Sequence, residues 1–503
     1  MVIGKVLSQR ALITPDREAL VFNNRTFSFK ELNQRSNKTA NALIDLGIRQ
    51  GDRIGLLMLN GNEFLEIYFA ASKIGAVLVP LNIRLAPPEL DFILNDCRVS
   101  VFFYGAALEE KVKEMDYPAG VRYKICAGPS SLPGVISYRE FISASKYVEP
   151  GISVDEDDLN VVMYTSGTTG HPKGAMLTHR GTYSACLDLL IGLNYLYPDR
   201  CLLLGPFFHS GFITPFLGHV VRGICTIIMD RFEPEAAVRL IQEKRVRLML
   251  GVTAIMKMIL QVPDLESYDL DCWEIAILPG SPLPYSLIKE AHDRIGVLCQ
   301  NLWGLTEICG PGSLMNIEDI LLLPECAGKP YFNVDIRIVG PDGGQLPSDS
   351  TGEITVRCPN VMQGYLNRPE DTAEAIRDGW LFTGDMGKLD KDGYLYILDR
   401  KQDMILSGGE KVYPAEIEKV ILEMPSITDV AVIGVPDEKW GEAPKAFIER
   451  GDKRLPGPEE IIAFCRRKLA GYKVPRRIEF IDKLPRSPSG KVLKRELRKE
   501  GRP

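Results

Sequence analysis

Up to Gly393, apolar positions fall into two alternating rhythms: helix-spaced stretches such as residues 29–46, and short apolar runs such as 53–58, 77–80, 101–104 and 226–229. Helical spacing marks one buried face, whereas a short run that is apolar almost throughout marks a strand covered on both sides. Their alternation predicts an α/β body with parallel sheets. After Gly393 the rhythm changes. Residues 394–398 read as a strand, and Asp399-Arg400-Lys401-Gln402-Asp403 is a charged break. A compact run follows, with helices expected at 414–423 and 459–470 and strands at 429–434 and 445–449. Pro458 at the entrance of the second helix and Gly471 at its exit are residues that helix ends prefer. The expected organisation is a large N-terminal multi-sheet α/β body over residues 1–399, a hinge at 400–404, and a small α+β C-terminal domain over 405–503.

Length and composition narrow the class. A chain of 503 residues with 45% hydrophobic and 25% charged residues has the usage of soluble globular proteins, which argues against disorder, collagen-like repeats and a membrane bundle. The first twenty residues include Arg10, Asp16, Arg17 and Glu18 and lack a secretory pattern, so export is not expected. Residues 201–221 carry no Asp, Glu, Lys or Arg, yet Gly205, Pro206, His209, Gly211, Pro215, Gly218 and His219 break them up. A buried strand, a loop and a helix are predicted there in place of a bilayer span. The eleven cysteines form no CxxC pair and no Cys/His cluster, so reduced thiols in a cytoplasmic protein are expected. Lys and Arg outnumber Asp and Glu by 23 to 17 from Arg400 onward and are outnumbered 37 to 49 before it. A basic small domain could gather phosphate-rich ligands; a solvated basic helix explains the same count. No aromatic-plus-basic pattern marks a nucleic-acid surface.

The sharpest chemical signal is Tyr164-Thr165-Ser166-Gly167-Thr168-Thr169-Gly170-His171-Pro172-Lys173-Gly174, between the apolar run 159–163 and a helix expected to be capped by Thr178. A strand feeding a loop so rich in Gly, Ser and Thr offers backbone N–H groups, hydroxyls and one ammonium to a polyphosphate. It is not a Walker loop, because position 172 is Pro and Lys173 is followed by Gly.

This string resembles the signature loop of the adenylate-forming superfamily of acyl- and aryl-CoA synthetases, luciferases and nonribosomal-peptide adenylation domains. The resemblance continues in order through Asn301-Leu302-Trp303-Gly304-Leu305-Thr306-Glu307, Gly379-Trp380-Leu381-Phe382-Thr383-Gly384-Asp385, residues 393–416 and Pro485-Arg486-Ser487-Pro488-Ser489-Gly490-Lys491. Within the superfamily the chain looks most like bacterial fatty-acyl-CoA synthetases. The resemblance implies the adenylate-forming fold with a mobile C-terminal domain, and ATP, Mg²⁺ and coenzyme A as the small molecules handled.

Residue by residue, the resemblance gives Thr165, Ser166, Gly167, Thr168, Thr169, Gly170 and Lys173 to the β- and γ-phosphates, and Thr306 and Glu307 to the flanks of the α-phosphate. Glu307 with Thr165 would hold the Mg²⁺, as suits a hard cation with few protein ligands. Trp303, where the family usually has Tyr, would stack on adenine beside Gly304. Asp385 would accept from the ribose hydroxyls with Arg400 as its partner. Gly280 and Ser281 would pass between adenine and the acid, and His209 would stand beside the acyl carboxylate; a core histidine and a plain turn aspartate are the bland alternatives. Lys491 matches the catalytic lysine that reaches the carboxylate and α-phosphate oxygens. Gln402 stands at the pivot where the family usually has Asp or Lys. Gly408 and Gly409 would line the pantetheine channel, and Trp440, Lys473 and Arg476 are candidates for contacting CoA, with packing and surface charge as equal alternatives for these three.

The implied activity is ATP-dependent ligation of a carboxylic acid, most readily a medium- or long-chain fatty acid, to CoA. An aryl acid of benzoate or cinnamate type is the alternative. Residues 207–214 contain no Asp of the kind that grips an amino group, which disfavours amino acids. A non-catalytic nucleotide-binding scaffold would not need Lys491, and no carrier domain follows it in the sequence, which favours free CoA as acceptor. Peripheral membrane contact stays open for a greasy substrate, although no amphipathic anchor is evident.

Overall fold

The computed structural model describes residues 1–165, 172–193, 199–280, 283–323, 326–407, 410–437, 440–450, 455–486 and 492–500, with the side chains of Lys411 and Glu500 excepted. Two compact units divide the chain. One comprises Met1–Asp335 and Val356–Leu381, the other Ile336–Thr355 and Phe382–Pro503.

The first unit carries two large mixed sheets. In one, six parallel strands run side by side in the order Leu298–Leu305, Ile275–Pro279, Leu248–Leu250, Arg200–Leu203, Cys225–Ile228 and Glu18–Phe22, with antiparallel strands at both edges. The other is parallel through Arg53–Leu57, Val77–Pro80 and Val101–Gly105 and ends in the antiparallel hairpin Leu159–Thr165/Lys173–Thr178. The apolar runs became these strands for the reason their composition suggests. Val77–Pro80 and Ile275–Pro279 are buried at every position, which only strands covered on both faces can be.

Helices cover the sheets. Phe29–Asp45 begins at a capping box in which Ser28 Oγ accepts from Glu31 N and Glu31 Oε2 accepts from Ser28 N. The helix Asn62–Ile74 is buried nearly all round, and its two buried charges are partnered: Glu66 accepts from Arg35 and Tyr138, and Lys73 donates to Asn33 and Glu149. The charge-free stretch 201–221 forms the end of strand Arg200–Leu203 and most of helix Ser210–Arg222. Among the described residues no helix is long and apolar enough to cross a membrane.

In the second unit a sheet runs in the order Glu410–Val412, Ile405–Ser407, Gly441–Glu449 and Val430–Asp437, and Arg477–Ile481 joins Gly441–Glu449 in parallel. Helices Pro414–Leu422 and Pro458–Lys468 cover it over a core that includes Ile405, Ile417, Ile421, Val432, Ile448, Ile461 and Cys465. The second helix stops earlier than its Gly471 suggests. Leu469 turns extended and packs with Tyr472 against this core, so apolar anchoring ends the helix before the glycine is reached.

Candidate active site

Three expected site segments leave parallel strands of one sheet on the same edge. Arg200–Leu203 leads to Phe207, Phe208 and His209; Ile275–Pro279 leads to Gly280; Leu298–Leu305 leads to Thr306 and Glu307. The carboxyl edge of a parallel sheet is where α/β folds place their ligands. Gly280 adopts φ +93° with open space where a Cβ would stand, a conformation that favours glycine. Gly304 is required by contact instead: a Cβ there would lie 1.5 Å from the carbonyl oxygen of Gly310. Trp303 is 8% exposed, and its ring lies where a side chain on Gly312 would be. His209 is half-buried with its ring 4.6 Å from that of Phe208, and its carbonyl accepts from Phe212 N and Ile213 N at the start of helix Ser210–Arg222.

The glycine-rich loop connects two strands, and this corrects the strand-loop-helix expectation. Its return is the strand Lys173–Thr178, short and apolar only at its centre, and the helix follows with Thr178 Oγ1 accepting from Gly181 N as anticipated. Thr165 and Lys173 face each other across the hairpin, with Thr165 Oγ1 donating to the Lys173 carbonyl at 3.5 Å. Just before the loop, Tyr164 donates to Asp96 at 2.5 Å. Burial above all, then the Cys97 thiol and Asp96, pushes its pKa up, so it stays a donor and pins the loop's entrance. Ser166, Gly167, Thr168, Thr169 and Gly170 lie outside the described residues, as do Ser281, Gly408, Gly409 and Lys491.

Lys173 and Glu307 belong to one constellation. Lys173 Nζ donates to Asp371 at 2.6 Å and stands 5.3 Å from the centre of the Tyr365 ring. The Tyr365 hydroxyl donates to Glu307 Oε1 at 2.8 Å. Among the described residues Glu307 Oε2 has no partner, and no group of three or more His, Cys, Asp or Glu side chains could hold a metal by itself. One carboxylate with an oxygen to offer, plus the hydroxyl of Thr165, is a hard-oxygen donor set that fits a Mg²⁺ carried in by phosphates. Sequence reasoning missed Tyr365 and Asp371. Their side chains reach the site from the segment after Asn360, and no local spacing announces that.

The antiparallel ribbon Trp380–Leu389/Leu395–Arg400 sets Asp385 opposite Arg400, both residues of the second unit. Arg400 Nε lies 2.7 Å from Asp385 Oδ1, the carboxylate is 7% exposed, and Arg400 also donates to the Thr383 carbonyl. Gly384, inside the strand Trp380–Leu389, adopts φ +70°, a conformation that favours glycine. Gln402 is exposed, and its carbonyl accepts from Arg498, which also pairs with Asp403 at 2.7 Å. Arg476 lies over the ring of Trp440 at 5.9 Å, whereas Lys473 is paired with Glu416 at 2.7 Å. A further lysine, Lys494, went unanticipated: its side chain is 13% exposed, and it pairs with Glu418 at 2.9 Å and lies 3.8 Å from Asp399.

Comparison with known proteins gives a consistent set of likenesses. The family model described as AMP-binding enzyme matches residues 7–366, and that of the AMP-binding enzyme C-terminal domain matches residues 416–491. The chain is 38% identical to the long-chain-fatty-acid–CoA ligase FadD13 of Mycobacterium tuberculosis, covering 99% of this chain and 98% of the relative. It is equally 38% identical to a feruloyl-CoA synthase of an Amycolatopsis species, again over 99% and 98%. Its fold superimposes on the O-succinylbenzoate coenzyme A synthetase of Bacillus subtilis, solved in complex with ATP and magnesium ion, with a TM-score of 0.87 and 31% identity over 98% of each chain.

Proposed function

This chain belongs to the AMP-binding enzyme family, and from that premise we infer that it is an acid–thiol ligase that forms an acyl-adenylate and then an acyl-CoA thioester. The observation that carries this reading is the constellation of Lys173, Tyr365 and Glu307, which sets a cation and a carboxylate from distant segments beside the Gly/Thr-rich loop.

The reaction has two balanced steps. A carboxylate oxygen attacks the α-phosphorus of ATP, and pyrophosphate leaves with the bridging electron pair. The thiol of CoA then attacks the acyl carbon, AMP leaves, and one proton is released. Both reactants of the first step are anions, so the site must supply positive charge and alignment. Lys173 and residues 165–170 hold the outer phosphates; Thr306 and Glu307 flank the inner one. Glu307 and Thr165 are the residues that would hold Mg²⁺, whose chemistry is to neutralise phosphate oxygens. Asp385, kept in place by Arg400, accepts from the ribose hydroxyls, while Trp303, Gly304, Gly280 and Ser281 border the base. His209 closes the side where the acid enters. Lys491 brings the remaining charge, and a pivot at 400–404, centred on Gln402, lets the region 405–503 exchange it for a thiol channel past Gly408 and Gly409. Trp440, Lys473 and Arg476 are the candidates for contacting CoA; Arg476 lies over the Trp440 ring, and Lys473 would exchange Glu416 for a phosphate. A cytoplasmic setting suits eleven cysteines that form no disulfide, most of them buried.

For the acid, a medium- or long-chain fatty acid leads. The aryl alternative is retained for one specific reason, a feruloyl-CoA synthase relative as similar as the fatty-acid ligase. Assay of AMP and CoA-thioester release across chain lengths and hydroxycinnamates is expected to give the highest kcat/KM with a fatty acid. Preference for a hydroxycinnamate moves the assignment to the aryl reading, and silence with every acid removes the ligase assignment. Asp385→Asn is expected to weaken ATP binding by about 1.5 kcal/mol, roughly tenfold, through loss of a charged hydrogen bond. Calorimetric titration checks this; unchanged affinity would remove Asp385 from the ribose site.

A further inference from the structure

The Lys173–Glu307 constellation holds a side chain to which none of the roles above is assigned. Tyr365 stands between the two charged groups, with its ring toward the ammonium and its hydroxyl on the carboxylate. Its backbone is fixed from several directions. Tyr365 pairs in register with Ala175, its N–H donates to Thr372 Oγ1 at 2.9 Å, and the next residue, Leu366, donates to the Gly174 carbonyl at 2.8 Å. Gly364 packs so closely that a Cβ there would lie 2.6 Å from Thr372 Cγ2. The same segment grips Glu307 by its backbone, since Met362 N donates to the Glu307 carbonyl at 2.8 Å, and it supplies Asp371, the present partner of Lys173.

Two consequences follow from elementary electrostatics. A lysine and a glutamate that both face a phosphate site can neutralise each other and become useless to it. Here Lys173 pairs with Asp371 and not with Glu307, and the Tyr365 ring occupies the space beside the ammonium. A phenol is also a donor to a carboxylate, and by engaging Oε1 it fixes the carboxylate's rotation and leaves Oε2 to be offered elsewhere. Groups that orient a metal-binding carboxylate in this way are commonly worth 10–100-fold in metal affinity or activity.

We propose that Tyr365 is a positioning residue that orients the Glu307 carboxylate toward magnesium and keeps it from pairing with Lys173. The proposal rests on the reading of Glu307 as the magnesium carboxylate, and its test separates the two. ATP binding to the full chain is measured by calorimetric titration, once with excess MgCl₂ and once with EDTA, without acid or CoA. The unmodified chain should bind more tightly with magnesium. Tyr365→Phe keeps the ring over Lys173 and removes only the hydroxyl, so its affinity should fall about tenfold with magnesium and stay unchanged in EDTA. Tyr365→Leu also removes the ring, so affinity should fall in both conditions. Equal loss in both conditions for Tyr365→Phe would mark a merely structural role and overturn the proposal, as would no loss in either. Glu307→Gln is the control on the underlying reading. If its magnesium dependence is intact, the carboxylate assignment fails and the proposal with it; if its dependence is lost while that of Tyr365→Phe is intact, only the proposal fails.

Discussion

Lys491→Ala is expected to slow acyl-adenylate formation by about 10²–10³-fold, roughly 3–4 kcal/mol of transition-state stabilisation, while thioesterification of a supplied acyl-adenylate proceeds nearly as before. The asymmetry comes from where charge sits in the two steps. In the first, a carboxylate approaches an α-phosphate, and a preorganised ammonium lowers the barrier by neutralising oxygens that gain charge only as the bond forms. In the second, a thiol meets an acyl carbon already activated by its phosphate, and the pivot proposed at residues 400–404 would by then have carried Lys491 away. Single-turnover measurement of each half-reaction, with the acyl-adenylate supplied for the second, distinguishes the steps. Equal loss in both would show that Lys491 serves the fold or the nucleotide in general and does not act as the adenylation lysine. Loss confined to the second step would assign it to the thiol. The prediction concerns kcat of the first step, so ATP affinity measured without acid should move little.

How much of this was readable beforehand depended on whether a property was local. Strand Val101–Gly105 and helix Phe29–Asp45 announced themselves because burial on both faces, or on one, leaves a period in the sequence. The Asp385–Arg400 pair was anticipated from family resemblance, and the ribbon joining them supplies its physical reason. The strand Lys173–Thr178 was missed because its ends are polar and its pairing partner lies across the loop. Tyr365 and Asp371 could not be read at all. A tyrosine after a glycine has no local mark of function, and only the chain's return alongside Gly174 and Ala175 brings it to Lys173. Lys494 carried a misleading signal: in a basic tail it reads as a solvated charge, yet the fold places it between two carboxylates with 13% of its side chain exposed.

That placement yields a stability prediction whose sign can be worked out. Lys494 faces Glu418, which also accepts from Val432 N, and Asp399, which accepts from Ala415 N. Burial, the largest influence, pushes the pKa of both carboxylates up, and Lys494 pulls them back only in part. Burial works against the Lys494 ammonium as well, but Glu418 and Asp399 outweigh it and leave its pKa raised. A group whose pKa is raised by folding contributes stability that is complete below its unfolded value and is lost as pH rises through the folded one. Both acids therefore make the second unit less stable as pH climbs above the ordinary carboxylate range, and the lysine does so only at strongly alkaline pH. Lys494→Met leaves two buried carboxylates without their cation, which commonly costs about 3–5 kcal/mol. Their pKa values then rise further, so the deficit should be larger at about pH 8 than at about pH 5, where protonation relieves it. Hydrogen exchange of Val430–Asp437 and Pro414–Leu422 in the full chain reads the local opening free energy at both pH values. A deficit equal at the two would point to lost packing of the lysine stem, and no deficit would mean that Lys494 is solvated. Adding Glu418→Gln to Lys494→Met should recover part of the loss at the higher pH, because the amide oxygen can still accept from Val432 while the unpaired charge is gone. Asp399 immediately precedes Arg400, and Arg498 of the same terminal helix holds Asp403 and the Gln402 carbonyl. Loosening this cluster should therefore free the segment proposed as the pivot, and exchange at residues 399–403 should accelerate together with that of the two elements above.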